Sequence, residues 1–395
     1  MQREYFQIRI NPDLHAKFKS KAALEKNPMS EVLDRILGEY IDREKMNYKT
    51  LANGHFTDMY FNRTRDILRA DNTNPKILMQ VFPRKDGILC GINEVTKILQ
   101  DVKPHLEIRS LKEGDSIKEN ETVLTIEGNF WDFVQLETVY LGILARMSSI
   151  ATNMKEIVDA AKGREVIMMS ARFERPEMQI FDGYAAWIGG CTKFSTEMNC
   201  VDILGMEAVG TIPHALIAAY GGDTVKATLA FDKHIDKKVP RVALVDFEND
   251  CIKTSLEVAR ALGDRLYAVR LDTSKGMVDE GLKKFLSNTC FKDTMVSNKY
   301  FQEEFSGVCP ELVRQVRENL DKEGFNHVKI VISGGFIAEK ISKFVKEKVP
   351  FDIVGVGSAI YKKRFDFTAD LVTVDGKPCA KKGRKYNPNN KLTQV

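Results

Sequence analysis

LYAVRLD, residues 266–272, is a short apolar run that ends in a charged pair, and the chain repeats this design several times. EVIMMSA (165–171), AVGT (208–211), VALVDF (242–247), VKIVIS (328–333) and FDIVGVG (351–357) are of the same kind. Each is brief and nearly continuous in apolar residues, as expected of parallel strands buried on both faces. Helical stretches such as CIKTSLEVARALGD (251–264) and PELVRQVRENLDKEG (310–324) lie between them. This alternation predicts an α/β barrel over residues 163–365.

The flanking sequence reads differently. WDFVQLETVYLGILARMSSIATNMKEIVDAAKG (131–163) is strongly helical, and residues 77–128 read as short strands joined by turns. LKEGDSIKENETVLTIEG (111–128) has the look of a small sandwich of the biotin or lipoyl type. Glu119-Asn120 stands where such a domain carries its lysine, so a structural sandwich without a carried cofactor is expected. ADLVTVDGKPCAKKGRK (369–385) returns to alternation and is expected to rejoin that sandwich, while YNPNNKLTQV (386–395) reads as a frayed tail. The expected domains are thus 47–162 with 366–395, and 163–365, preceded by a separate unit over 1–46.

Composition sets the class. The chain has 395 residues, enough for two or three domains, and its 43% hydrophobic and 29% charged residues are those of a soluble globular protein. No apolar run reaches the ~18 residues of a membrane span, and the N-terminus has no apolar signal segment. Seven cysteines without a CxxC pair fit free thiols in a reducing cytoplasm better than disulfides or a structural zinc site. A net charge of +4 permits anionic ligands without arguing for nucleic acid.

In a barrel of this kind the reactive residues follow the strands' C-terminal ends. The last two strands end in Ser333-Gly334-Gly335 and in Gly355, Gly357 and Ser358. Two successive glycine-rich ends let backbone N–H groups approach an anion, which points to a phosphate site. Arg270 and Asp272 flank Leu271 and so face the same side of their strand. They are either an ion pair or a carboxylate anchor beside a group that holds sugar hydroxyls. Asp246 ends another strand and suits a metal-bound pyrophosphate or a hydroxyl. Arg172 and Arg175 follow the first strand, with Phe173 between them. No Ser-His-Asp set or metal cluster is apparent, and the inventory suits anionic phosphosugar chemistry.

FTDMYFNRT (56–64), AVGTIPHALI (208–217), VALVDF, AVRLDT (268–273), ISGGF (332–336) and VGVGSAI (354–360) occur in an order that resembles nicotinate phosphoribosyltransferase of the short archaeal type. The resemblance runs from about Tyr48 to Lys385. It implies a type II phosphoribosyltransferase fold, with an incomplete α/β barrel beside an α+β sandwich domain. The implied reaction joins nicotinate to phosphoribosyl pyrophosphate, with ATP as co-substrate and Mg²⁺ accompanying pyrophosphate. The resemblance implies that Tyr60 stacks on the pyridine ring from a partner protomer, and that Thr211 lies in the substrate site. Arg172 and Arg270 would take the carboxylate and the pyrophosphate, Asp272 the ribose hydroxyls, and the two glycine loops the 5′-phosphate. His214 would be either a phospho-acceptor in ATP coupling or a structural histidine near the pocket. Two departures stand out: VDFEND (245–250) differs from the family pattern after Asp246, and ARFERP (171–176) carries Phe173 and Arg175 where relatives have basic or histidine side chains.

Residues 1–46 fall outside that resemblance. EYFQIRI (4–10) alternates strictly, and MSEVLDRIL (29–37) opens a second helix, so the segment resembles a ribbon–helix–helix unit. Phe6, Ile8 and Ile10 would pair across a homodimer, and outward Tyr5, Gln7 and Arg9 would face duplex DNA. The alternative function carried by this segment is a DNA-binding regulator that uses the barrel as a ligand sensor.

Overall fold

A computed structural model describes Lys19 and residues 51–395, apart from 202, 204 and 290–298. Apart from Lys19, the ribbon–helix–helix unit expected over 1–46 lies outside the described residues. In chain order the strands are β1 (Lys76–Pro83), β2 (Gly87–Ile88), β3 (Glu107–Ser110), β4 (Ser116–Ile117), β5 (Leu124–Asn129), β6 (Glu165–Met168) and β7 (Lys193–Phe194). They continue with β8 (Arg241–Leu244), β9 (Leu266–Leu271), β10 (Lys329–Ile332), β11 (Ile353–Val356), β12 (Phe367–Val374), β13 (Lys377–Pro378) and β14 (Thr393–Gln394).

The apolar runs from 165 onward form one all-parallel six-stranded sheet in the order β7-β6-β11-β10-β9-β8. β8 and β11 are buried along their whole length, which is why their sequences show no alternation. The last strand, β11, returns to pair with the first, β6, so the sheet curls like a barrel. It stays open, because among the described residues no ladder joins β7 to β8.

The segment that would close the gap is AVGTIP, where a strand was expected. It is not one. Val209 donates its N–H to the Phe194 carbonyl at 2.8 Å, and no ladder follows. Pro213 has no N–H to give a ladder, and Gly210 adds no side chain to a core. His214 therefore does not end a buried strand. It opens the short helix His214–Ala219, with Pro213 as the residue before it.

The remaining strands build an antiparallel sheet in the order β13-β12-β1-β5-β3-β14. β12 runs against β1 from Ile77↔Val374 to Pro83↔Phe367. Residues 77–128 are not all strand and turn, because the helix Ile92–Val102 interrupts them. It buries Ile92, Val95, Thr96, Ile98 and Leu99 on one face. The Glu113 carboxylate accepts from the N–H groups of Gly91 and Asn93 at its start. The C-terminal tail is not frayed: β14 pairs with β3, and Asn389 donates to the Thr122 carbonyl at 2.8 Å.

One helix, Glu137–Ala161, joins the two halves. Tyr140 and Leu144 pack into the sandwich core, and Met147, Ile150, Ala151 and Met154 pack into the core under the parallel sheet. No helix among the described residues is long and apolar enough to cross a membrane.

Candidate active site

The C-terminal ends of the parallel strands surround a cavity of about 610 Å³. Met169, Arg172 and Phe173 follow β6, and Ser195 follows β7. Residues 210–214 fill the gap in the sheet, Arg270 and Asp272 come from β9, Ser333 to Phe336 follow β10, and Gly355 to Ser358 close β11.

Arg270 is held on three sides. Its Nε donates to Ser333 Oγ at 2.9 Å, one terminal nitrogen donates to Thr211 Oγ1 at 3.1 Å, and the other donates to Asp272 Oδ2 at 3.2 Å. Arg270 and Asp272 are therefore an ion pair, and the pair is anchored to a second strand end through Ser333 and to the gap segment through Thr211.

The two glycine-rich ends differ in kind. Gly334 and Gly335 have φ of +88° and +76°, left-handed conformations in which a side chain would be strained. Gly357 is required by packing instead. A Cβ there would lie 2.4 Å from the Phe173 ring and 2.8 Å from the Met169 carbonyl. The same Phe173 ring carries the Arg172 guanidinium 5.2 Å from its centroid.

His214 lines the cavity, and Asp246 stands behind it. Both Asp246 carboxylate oxygens lie 3.1 Å from His214 Nε2, and the side-chain exposures are 7% for Asp246 and 47% for His214. Burial pushes the Asp246 carboxyl above its usual range, the His214 imidazole opposes that rise, and the Asp272 charge adds to it. With Nε2 committed to Asp246, Nδ1 is the ring nitrogen left to a ligand.

The cavity thus gathers Arg172, Thr211, His214, Arg270, Asp272, Ser333, Gly334, Gly335, Gly355, Gly357 and Ser358. Asp246 reaches it only through His214. Tyr60 is not brought there within the chain: it is 58% exposed on the helix Met59–Ala70, and its hydroxyl donates to Asp58 at 3.2 Å. Arg175 turns outward to Glu177 at 3.1 Å. Met169, Ser195 and Phe336 line the cavity and were not singled out from sequence. Met169 sits directly after an apolar strand, where a search of strand ends would have found it. Ser195 follows a two-residue strand that leaves no periodic signal.

Comparison with known proteins identifies this architecture. Residues 58–148 match the N-terminal domain of quinolinate phosphoribosyl transferase, and residues 150–369 match its C-terminal domain. The crystal structure of nicotinate-nucleotide pyrophosphorylase from Pyrococcus furiosus is 35% identical, with a TM-score of 0.72, covering 88% of this chain and 84% of that one. A nicotinate phosphoribosyltransferase of Mycobacterium tuberculosis is 28% identical over 294 residues, 72% of this chain and 58% of that protein. A chloroplastic carboxylating nicotinate-nucleotide pyrophosphorylase of Arabidopsis thaliana is 27% identical over 256 residues, 64% of this chain and 68% of that one. The chain spans less than two thirds of the length of several curated relatives it matches.

These matches correct the expected identity. Both domain models are of the quinolinate type and overturn that identity, and with it nicotinate as substrate. The ATP co-substrate, and with it His214 as phospho-acceptor, came only with the nicotinate reading and is withdrawn. The Mg²⁺ expected with pyrophosphate finds no group of three or more His, Cys, Asp or Glu ligands among the described residues. The DNA-binding regulator, with Tyr5, Gln7 and Arg9, rested on residues outside those described, and the domain matches give it no support; the homodimer rested on that segment and on Tyr60 reaching in from a partner protomer. With its two domain matches running from residue 58 to residue 369, the chain belongs to the quinolinate phosphoribosyltransferase family.

Proposed function

We propose that the chain converts quinolinate and phosphoribosyl pyrophosphate into nicotinate mononucleotide, CO₂ and pyrophosphate, a step of NAD biosynthesis. The observation that carries this reading is the fixed Arg270–Asp272 pair beside the two glycine-rich strand ends, in a chain of the quinolinate phosphoribosyltransferase family.

The N–H groups of Gly334 and Gly335, with the loop Gly355–Ser358, take the 5′-phosphate. Asp272 accepts from the ribose hydroxyls. Arg270 holds a ring carboxylate, and Arg172 at the mouth offers a second guanidinium to a substrate that carries two carboxylates. Nδ1 of His214 faces the departing pyrophosphate. Most of the rate then comes from alignment and preset charge: the ring nitrogen is held against the anomeric carbon while pyrophosphate leaves with the bonding pair. The new cationic nitrogen makes the adjacent carboxylate labile. The bond from C2 to that carboxylate breaks, CO₂ leaves, and the electron pair stays on C2 and takes a proton.

The division into 47–162 with 366–395, and 163–365, is proposed on two apolar cores, with the helix Glu137–Ala161 contributing to both. A cytoplasmic setting is proposed on the six unpaired cysteines among the described residues. The test uses the purified full chain with phosphoribosyl pyrophosphate and quinolinate labelled at the 2-carboxylate. Labelled CO₂ and nicotinate mononucleotide should appear in equal amounts. Turnover of nicotinate without any of quinolinate would reject the proposal, as would binding of both substrates without CO₂ release.

A further inference from the structure

Ser333 lies at the phosphate loop, yet its hydrogen-bonding capacity is spent elsewhere. Its N–H donates to the Leu271 carbonyl at 2.9 Å, extending the β9–β10 ladder by one residue. Its hydroxyl accepts from Arg270 Nε at 2.9 Å. The same hydroxyl lies 2.7 Å from Asp272 Oδ1 and 3.1 Å from the Leu271 carbonyl. A serine hydroxyl has one proton to give, and both neighbours can only accept it. The shorter contact to the charged carboxylate is the stronger one. A phosphate oxygen needs a donor, and Ser333 has none left. The residue is also 3% exposed.

We propose that Ser333 is a positioning residue that locks Arg270 and Asp272 into one orientation, and that it is not a ligand of the 5′-phosphate. The phosphate is left to Gly334, Gly335 and the loop after β11. Arg270 has five N–H donors. Ser333, Thr211 and Asp272 take three, and one N–H remains on each terminal nitrogen for an anion in the cavity. Ser333 thereby aims these two donors, because a guanidinium is planar and fixing Nε fixes the rest.

The proposal rests on the reading of the cavity as a phosphoribosyl site, and the experiment separates the two. Full-length parent, Ser333→Ala, Arg270→Ala and the double variant are compared by calorimetric binding of phosphoribosyl pyrophosphate and of inorganic phosphate, and by kcat/KM for the pyridine substrate. Ser333→Ala should keep the affinity for inorganic phosphate within about twofold of the parent, and should weaken phosphoribosyl pyrophosphate only through the ribose contact of Asp272. It should lower kcat/KM for the pyridine substrate by roughly 10- to 100-fold, the weight of a hydrogen bond to a charged group. The double variant should be no worse than Arg270→Ala by more than about twofold, because the two residues act as one unit. A tenfold loss of inorganic phosphate affinity in Ser333→Ala, or losses that multiply in the double variant, would overturn the proposal while leaving the transferase reading intact. If the parent binds no phosphoribosyl pyrophosphate, both fall. Ser333→Cys, which keeps the side-chain shape with a slightly larger atom and weakens the hydrogen bonds, carries the same comparison should the alanine variant fail to fold.

Discussion

Arg270 shows what a charge alone does not provide. Its guanidinium meets three oxygens from three parts of the chain, at 2.9, 3.1 and 3.2 Å. Lysine could keep the charge, but a single ammonium on a flexible stem cannot span that fork. Arg270→Lys should therefore behave like Arg270→Ala rather than like the parent, losing on the order of 100-fold in kcat/KM for quinolinate. Steady-state kinetics decide this, and a lysine variant within threefold of the parent would show that charge suffices. The residue types at this site were legible from sequence because Arg270 and Asp272 fall on one face of a strand. The hands that hold them were not: Ser333 and Thr211 lie 63 and 59 residues away in the chain, and only the curl of the sheet brings them to the same guanidinium.

At the scale of elements, the two glycine loops make a contrast that can be measured. Gly335 has φ +76° with nothing within 4 Å of an added Cβ, whereas a Cβ on Gly357 would strike the Met169 carbonyl and the Phe173 ring. Gly335→Ala should cost about 1–2 kcal/mol of backbone strain and leave the neighbouring loops in place. Gly357→Ala should displace Phe173 and the Arg172 stacked on it, costing about 1–3 kcal/mol and weakening phosphoribosyl pyrophosphate binding as well. Thermal unfolding together with calorimetric binding separates the two. Equal effects would mean that Gly357 is needed for its backbone rather than for its missing side chain.

The strands themselves read well from sequence where burial on both faces makes the signal continuous, as in β8, β10 and β11. Two short pieces misled. AVGT is apolar enough for a strand, but the sheet is open at that point and offers no partner. Ile92–Val102 was hidden among strands because its helical repeat is only three turns long, although Val95, Ile98 and Leu99 carry it.

At the scale of the whole molecule, the helix Glu137–Ala161 ties the sandwich to the parallel sheet, and its first residue is an ill-placed acid. A carboxylate at a helix start is ordinarily favoured by the helix dipole. Here burial wins, with the Asp370 carboxylate adding to it, and Glu137 is pushed up from 4.5 to about 7. The folded state therefore holds a proton that the unfolded chain releases once pH passes about 4.5. Between that point and pH 7 the native state binds more protons than the unfolded one, so the Glu137 contribution to stability falls as pH rises and levels off above 7. A tenfold change in proton affinity is worth about 1.36 kcal/mol, so the loss is at most about 3 kcal/mol, and less to the extent that water reaches the carboxyl. Glu137→Gln keeps the shape and has no proton to lose. Its unfolding free energy relative to the parent should be nearly constant below pH 4.5, rise through pH 5–7 and stay raised at pH 8. Denaturant titrations of both proteins at each pH supply the difference directly, and other titrating groups cancel from it. A difference that is flat across the whole range would mean that Glu137 stays charged in the folded protein.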